Sequence, residues 1–170
     1  SICALDSLEK LYLGGNPIKE LPDCIGNLAS LKELMLWGTD IIALPDSICS
    51  LKKLERLVLF HSELRTLPDC IGDLKSLETL NAGHCYLTSV PDSITKLTSL
   101  TYFSVWMNDI ESATKKIFKW TKKLSKNGCR ELWHIQRNKN LSMRFGKKGF
   151  LWKIWVYLRN LINLIIKKLN

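Results

Sequence analysis

Chemistry in this chain would have to come from few residues. The sequence holds three histidines, His61, His84 and His134, and six cysteines, Cys3, Cys24, Cys49, Cys70, Cys85 and Cys129. Cys129 with His134 is the only candidate nucleophile and base pair worth naming, and a thiolate so placed could act only in a pocket that also holds a substrate. His61 and His84 could share a metal ion, but no third ligand is evident, because Cys85 is expected to point inward. No Gly-x-x-x-x-Gly-Lys-Ser/Thr run is present to cradle a nucleotide. No catalytic, metal-binding or cofactor-binding residue is therefore assigned, and an enzyme is not expected.

The net charge of +9 over 170 residues suggests a polyanion partner until it is divided along the chain. Residues 1–113 hold 9 of the basic and 15 of the acidic residues, a net −6, while residues 114–170 hold 16 basic residues and only Glu131, a net +15. The front segment would repel a phosphate backbone, and nucleic acid is not an expected partner. The chain shows no basic region followed by an apolar stretch and a small-residue cleavage site, so a cytoplasmic setting, peripheral to a membrane if the tail binds one, is the expectation.

The elements that would position any site come from an internal period. Pro22, Pro45, Pro68 and Pro91 are 23 residues apart. The same step runs through Leu8, Leu31, Leu54, Leu77 and Leu100, through Leu11, Leu34, Leu57, Leu80 and Phe103, and through Leu13, Leu36, Leu59, Ala82 and Val105. Further columns follow at Ile18 to Ile110, Leu21 to Val90, Ile25 to Ile94 and Leu28 to Leu97. Each unit carries a Leu-x-Leu pair with the alternation of a short strand, then a Pro-Asp-x-Ile-x-x-Leu segment with the step of a helical turn. The proline fits the first turn of that segment, where its missing N–H is no loss. One unit is too small to bury its own aliphatic residues, so units must stack and join their strands into a parallel sheet, an α/β solenoid.

These columns resemble the leucine-rich-repeat family in its 23-residue intracellular form. The run Leu36-Trp37-Gly38-Thr39-Asp40-Ile41-Ile42-Ala43-Leu44-Pro45-Asp46-Ser47-Ile48 is similar to repeats of plant disease-resistance receptors and of Ras-group and bacterial intracellular repeat proteins. The resemblance covers about residues 1–120 and implies a curved coil with a parallel concave sheet and short helical or irregular convex segments. It also implies an asparagine ladder between coils, where this chain has Asn16, Thr39, Ser62, Cys85 and Asn108, a weaker set. Some bacterial repeat proteins end in a cysteine-dependent ubiquitin ligase domain, but Cys129-Arg130-Glu131 lacks the Cys-x-Asp motif and the tail is too short for that domain.

A 46-residue unit overlies the 23-residue one. Cys24, Ser47, Cys70 and Ser93 alternate, and Gly26 and Gly72 alternate with Cys49 and Thr95. Cys3 with Cys49 and Cys24 with Cys70 then match by duplication, without a bridging purpose, and reduced thiols are expected.

The side chains alternating with the core leucines are free to vary on the concave face. They are Lys10, Glu33, Arg56, Thr79 and Tyr102; then Tyr12, Met35, Val58, Asn81 and Ser104; then Gly14, Trp37, Phe60, Gly83 and Trp106, with Gly15, Gly38, His61, His84 and Met107 beyond. Trp37 and Phe60 are expected about 5 Å apart on neighbouring strands, flanked by Met35 and Val58. From these columns a protein-binding surface is assigned to Tyr12, Met35, Trp37, Arg56, Val58, Phe60, His61, Asn81, His84, Tyr102, Ser104 and Trp106. Coverage by the chain's own tail or by a second copy is the competing reading of the same aromatic residues.

The tail divides in three. Ser112 or Thr114 can cap a helix with Ile117, Trp120 and Leu124 on one face, ended by Asn127-Gly128, which closes the solenoid at residue 128. Residues 129–149 read as a basic connector with room for one degenerate repeat. Residues 150–170 read as an amphipathic helix with Trp152, Trp155, Leu158, Leu161, Ile162, Ile165 and Ile166, and with Lys153, Arg159 and Lys167 among its polar residues. That helix could pack on the solenoid or on a partner, lie on an anionic membrane surface, or span a bilayer; Lys153, Arg159, Asn160 and Asn163 disfavour spanning. Two functions follow: a scaffold binding a protein on its concave face, in signalling or immune-type recognition, and a membrane-surface adaptor tethered by the tail.

Overall fold

Each Leu-x-Leu pair forms a strand of three residues: β1 (Lys10–Tyr12), β2 (Glu33–Met35), β3 (Arg56–Val58), β4 (Thr79–Asn81) and β5 (Tyr102–Ser104). The five lie in chain order in one parallel sheet. Their register is the sequence period itself, with Leu11, Leu34, Leu57, Leu80 and Phe103 in line. Pairing continues past the strands, where Leu13 N–H donates to the Met35 carbonyl at 2.9 Å and Gly15 N–H to that of Trp37 at 2.8 Å. This computed structural model describes residues 2–110 and 113–129, which lie in one unit, residues 1–135. The expected boundary between connector and tail helix at residue 150 falls outside them.

Opposite the sheet run short 3-10 helices, η1 (Ile2–Ala4), η2 (Asp23–Asn27), η3 (Asp46–Ser50), η4 (Ile71–Asp73) and η5 (Asp92–Lys96). Pro22, Pro45 and Pro91 stand just before η2, η3 and η5 in extended backbone, one position earlier than a first-turn placement, and their carbonyls accept the first bond of the turn. The isoleucine of each turn points inward, and Ile48, Ile71 and Ile94 are fully buried. Between sheet and turns, the leucine columns from Leu28 to Leu97 are nearly all without solvent exposure. Removing such side chains from water, at ~25 cal/mol per Å², is what holds successive coils together.

The polar column that follows each strand is uneven, as its composition implies. Asn108 is buried; its amide donates to the carbonyls of Ala82 at 2.7 Å and Val105 at 2.8 Å, while its oxygen accepts from Leu87 N–H at 2.8 Å. It therefore ties coil five to coil four. The Thr39 hydroxyl donates within its own coil, to the Leu36 carbonyl at 2.9 Å. Cys85 does point inward, its sulfur 3.1 Å from the Leu59 carbonyl and 3.4 Å from Ser62 Oγ.

Helix α1 (Lys115–Lys126) closes the last coil. Thr114 is its N-cap, accepting from Ile117 N–H, and Asn127 with left-handed Gly128 ends it. Ile117, Trp120 and Leu124 are buried. The Trp120 ring meets Phe103 edge to face at 5.3 Å, and its N–H donates to the Leu97 carbonyl at 3.0 Å.

The expectation of reduced thiols is corrected. Cys49 and Cys70 form a disulfide joining η3 to the residue before η4, with Cα atoms 5.9 Å apart. Cys24 is disulfide-bonded as well, and in sequence Cys3 precedes Cys24 by 21 residues, the spacing of Cys49 and Cys70. The 46-residue pairing of like columns missed this, because a bridge between adjacent coils joins two different columns. Cys85 and Cys129 remain thiols, and burial pushes both pKa values up.

A non-reducing digest is expected to yield one peptide pair linked through Cys49 and Cys70; free carboxymethylated Cys49 and Cys70 from unreduced protein would overturn the bridge. Replacing both by serine should lower stability in urea by ~2–4 kcal/mol.

Candidate functional site

The register places the outward side chains of β1–β5 in straight columns across the coils. Lys10, Tyr12 and Glu33 form a cluster at one end of the face. Tyr12 donates its hydroxyl to Glu33 Oε2 at 2.7 Å, and Lys10 Nζ lies 3.1 Å from Glu33 Oε1. These two bonds, Tyr12's first, hold the Glu33 carboxyl below its ordinary range, and Glu33 in turn pushes Tyr12 and Lys10 up. Arg56, in the central strand, is exposed.

Tyr12 is 60% exposed, Trp37 51%, Trp106 44% and Phe60 37%, a set of large apolar side chains left open along one face. Met35 and Val58 lie half-buried between them, as does Tyr102. Trp37 and Phe60 occupy neighbouring positions on adjacent coils, as expected, bracketed by the bonds from Leu36 N–H to the Val58 carbonyl and from Gly38 N–H to the Phe60 carbonyl, but their rings meet different neighbours. The indole of Trp37 lies across Gly14 and Gly15 of the preceding coil, so close that a Cβ on Gly14 would collide with it. Phe60 leans the other way and meets His61 and His84 edge-on, at 6.1 and 5.9 Å. Bare glycine backbone offers the indole a flat surface to cover, and the imidazoles offer the phenyl ring aromatic contacts. The two rings are thus held by different neighbours along the same face.

Two further assigned residues serve the backbone. Asn81 is half-buried, with its side-chain oxygen accepting from Gly83 N–H at 3.1 Å. Ser104 is buried at 4% exposure, its oxygen 3.5 Å from Trp106 N, so its place among the partner-binding residues is withdrawn. Its neighbours crowd it, since a Cβ on Gly83 would already come within 3.4 Å of Ser104 Oγ.

His61 and His84 stack face to face, with centroids 4.7 Å apart and planes 5° from parallel. Lone pairs in two parallel planes cannot converge on one ion, so this geometry speaks for a contact surface over chelation. His61 Nε2 is buried without a hydrogen-bond partner. Both residues, with Met107, adopt left-handed backbone at φ 59°, 55° and 54°, where Gly15 and Gly38 stand in the earlier coils. A side chain in that region costs about 1–2 kcal/mol, so a glycine would be less strained at each position. Trp152, Lys153, Trp155, Leu158, Arg159, Leu161, Ile162, Ile165, Ile166 and Lys167, assigned to a membrane or partner helix, lie outside the described residues, as does His134 of the thiol pair.

A parallel sheet of three-residue strands in strict 23-residue register, backed by 3-10 turns, defines a repeat solenoid. The chain belongs to the leucine-rich-repeat family: a family model described as a leucine-rich repeat region matches residues 1–170. No curated protein matches it. Among solved structures, a leucine-rich-repeat protein of Leptospira interrogans is similar at 31% identity and a TM-score of 0.59, over 76% of this chain and 38% of that one. The plant peptide hormone receptor RGFR1 in complex with RGF2 matches at 22% identity and TM-score 0.59, over 63% of this chain and 18% of the receptor. The PEPR1–AtPEP1 complex gives 22%, 0.59, 63% and 16% in the same terms. The chain thus spans well under half the length of each.

The Glu33 cluster yields a pH prediction. A carboxyl held low in the folded state adds stability above its unfolded pKa, and that stability is lost as pH falls through the lower folded value. Glu33 should therefore titrate by NMR below the ordinary carboxylate range, and Tyr12→Phe should move it back up; an unmoved titration would remove Tyr12 as the main cause.

Proposed function

We propose that the chain is a protein-interaction module, not an enzyme, which takes a protein or peptide partner across the sheet face. The observation that carries this is the set Tyr12, Trp37, Phe60 and Trp106, each more than a third exposed on one face of a sheet whose other face is closed. Large aromatic side chains left in water are costly, and they are the usual anchors of protein interfaces. The strained column of His61, His84 and Met107 runs beside them, and strain kept where glycine would relieve it accompanies function. A plant peptide hormone receptor of the same fold is seen in complex with RGF2, which supports a peptide or protein partner; a role in signalling or immune-type recognition is part of the same proposal. Trp37 and Phe60 would take apolar side chains of the partner, and Arg56, exposed on the central strand of the same face, an acidic group.

The Cys49–Cys70 bridge supports an oxidising compartment for this encounter. The expectation of reduced thiols, and of the reducing setting they would imply, loses its support.

The test is W37A/F60A/W106A beside a convex-side control, D69N, with partner found by affinity capture and then measured purified. The triple variant should bind about 100-fold more weakly or worse, as loss of two or more anchors implies, with its urea midpoint near that of the parent. Equal binding by both variants would move the site elsewhere. A change in the chain's own oligomeric state, without a change in partner binding, would show that a second copy covers the face.

A further inference from the structure

Helix α1 has a second face. Ile117, Trp120, Thr121 and Leu124 are buried against the last coil. Lys115, Lys116, Lys119, Lys122, Lys123 and Lys126 are all exposed. At 100° per residue these six fall within an arc of about 120°, opposite the buried stripe, over a helix about 18 Å long. Residues 113–129 contain no acidic residue. None of the six lysines takes part in the ion pairs of the described residues, which join Lys10 to Glu33, Lys32 to Glu9 and Lys96 to Asp73. Capping the coil required only the apolar stripe. Six like charges crowded on one arc repel each other, a cost that an anionic partner would reverse.

We propose that this lysine face is a docking surface for an anionic lipid membrane, on which the solenoid stands by its capped end. Charge selects the class of partner and the side chains select among polyanions. A nucleic-acid face offers arginines for bidentate contacts and exposed rings for stacking bases, whereas this face carries lysines alone, and the two aromatic residues of the helix, Trp120 and Phe118, are buried and half-buried. Lysines are strongly hydrated point charges that gain about 1 kcal/mol each near an anionic leaflet without a fixed geometry. The net −6 of residues 1–113 is repelled by the same surface, which leaves the capped end as the end that approaches. Residues 130–170 continue the signal in sequence with 10 basic residues, one acidic residue and the apolar run from Phe150 to Leu169. The surface is separate from the sheet face, so either proposal can fail without the other.

Co-sedimentation of the full chain with vesicles of phosphatidylcholine alone and of phosphatidylcholine with phosphatidylglycerol tests it. The chain should pellet only with the anionic vesicles and be released by salt. Replacing all six lysines by glutamine should weaken partition roughly 10,000-fold, while six arginines should keep it within about threefold, since charge near the surface sets the gain. Helix content and urea midpoint check the fold, and K119Q/K122Q/K126Q, expected to lose roughly 100-fold, serves if the sixfold variant does not fold. Vesicle binding that survives the glutamine variants would assign attachment to residues 150–169 and overturn the proposal. So would no binding by the parent chain, or tighter binding of a DNA oligonucleotide through the same lysines.

Discussion

No coil of this chain can satisfy itself, and that constraint shapes everything else. A strand of three residues offers its N–H and carbonyl groups on both sides, and only the next coil can pair them. The bonds Lys32 N to Glu9 O, Glu55 N to Lys32 O, Glu78 N to Glu55 O and Thr101 N to Glu78 O are one contact repeated four times. Insertion of one residue between strands would break that repetition and turn a buried leucine to the surface. The ends of the stack are where the constraint shows. At the far end α1 puts Trp120 over Phe103 and supplies an indole N–H to the Leu97 carbonyl, which no further coil covers. At the near end Leu8 and Leu13 are only partly buried.

The same register makes the sheet face a place where small changes in one column act together. Gly14 and Gly15 lie under the Trp37 indole because they sit one coil earlier at its own position and the position after it. From two coils on, histidines occupy the position of Gly15, three residues past each strand, and their rings stack because the register brings them side by side. One column thus moves from glycine, which accepts a neighbour's ring, to imidazole, which presents its own. The backbone is left-handed throughout, at Gly15, Gly38, His61, His84 and Met107, so the path of the chain is set by the fold while the surface varies.

Much of this was legible in the sequence because it depends on period alone. The aliphatic columns, the strand register, the inward Cys85 and the Thr114 and Gly128 ends of α1 all follow from residue type at a fixed step. What escaped was lateral. The Cys49–Cys70 bridge joins unlike columns of neighbouring coils, so comparing like with like at 46 residues could not reveal it; the repeated 21-residue spacing was the available signal. The divergence of Trp37 and Phe60 depends on which neighbour each ring prefers, and column membership is silent on that. Ser104 is buried by crowding at Gly83 and Trp106, a tertiary effect. The lysine arc of α1 is legible in a helical projection of residues 115–126, since it needs only the 100° step.

The 46-residue alternation acquires a physical meaning on the convex side. Where cysteines stand, η3 is tied covalently to the start of η4. Where glycines stand, the coils meet differently: a Cβ on Gly26 would strike the Ser47 carbonyl, and one on Gly72 would strike that of Ser93. Bridged and close-packed interfaces therefore follow one another, η2 against η3 through glycine, η3 to η4 through sulfur, η4 against η5 through glycine. A side chain added at the glycine contacts would force the coils apart, and a disulfide there would need the room that glycine removes. The two devices are alternatives for one task, holding the convex edge while the sheet sets the spacing opposite. Duplication of a two-coil unit carries both devices along, which is why a pattern that looks decorative in the sequence is a sequence of joints in the molecule.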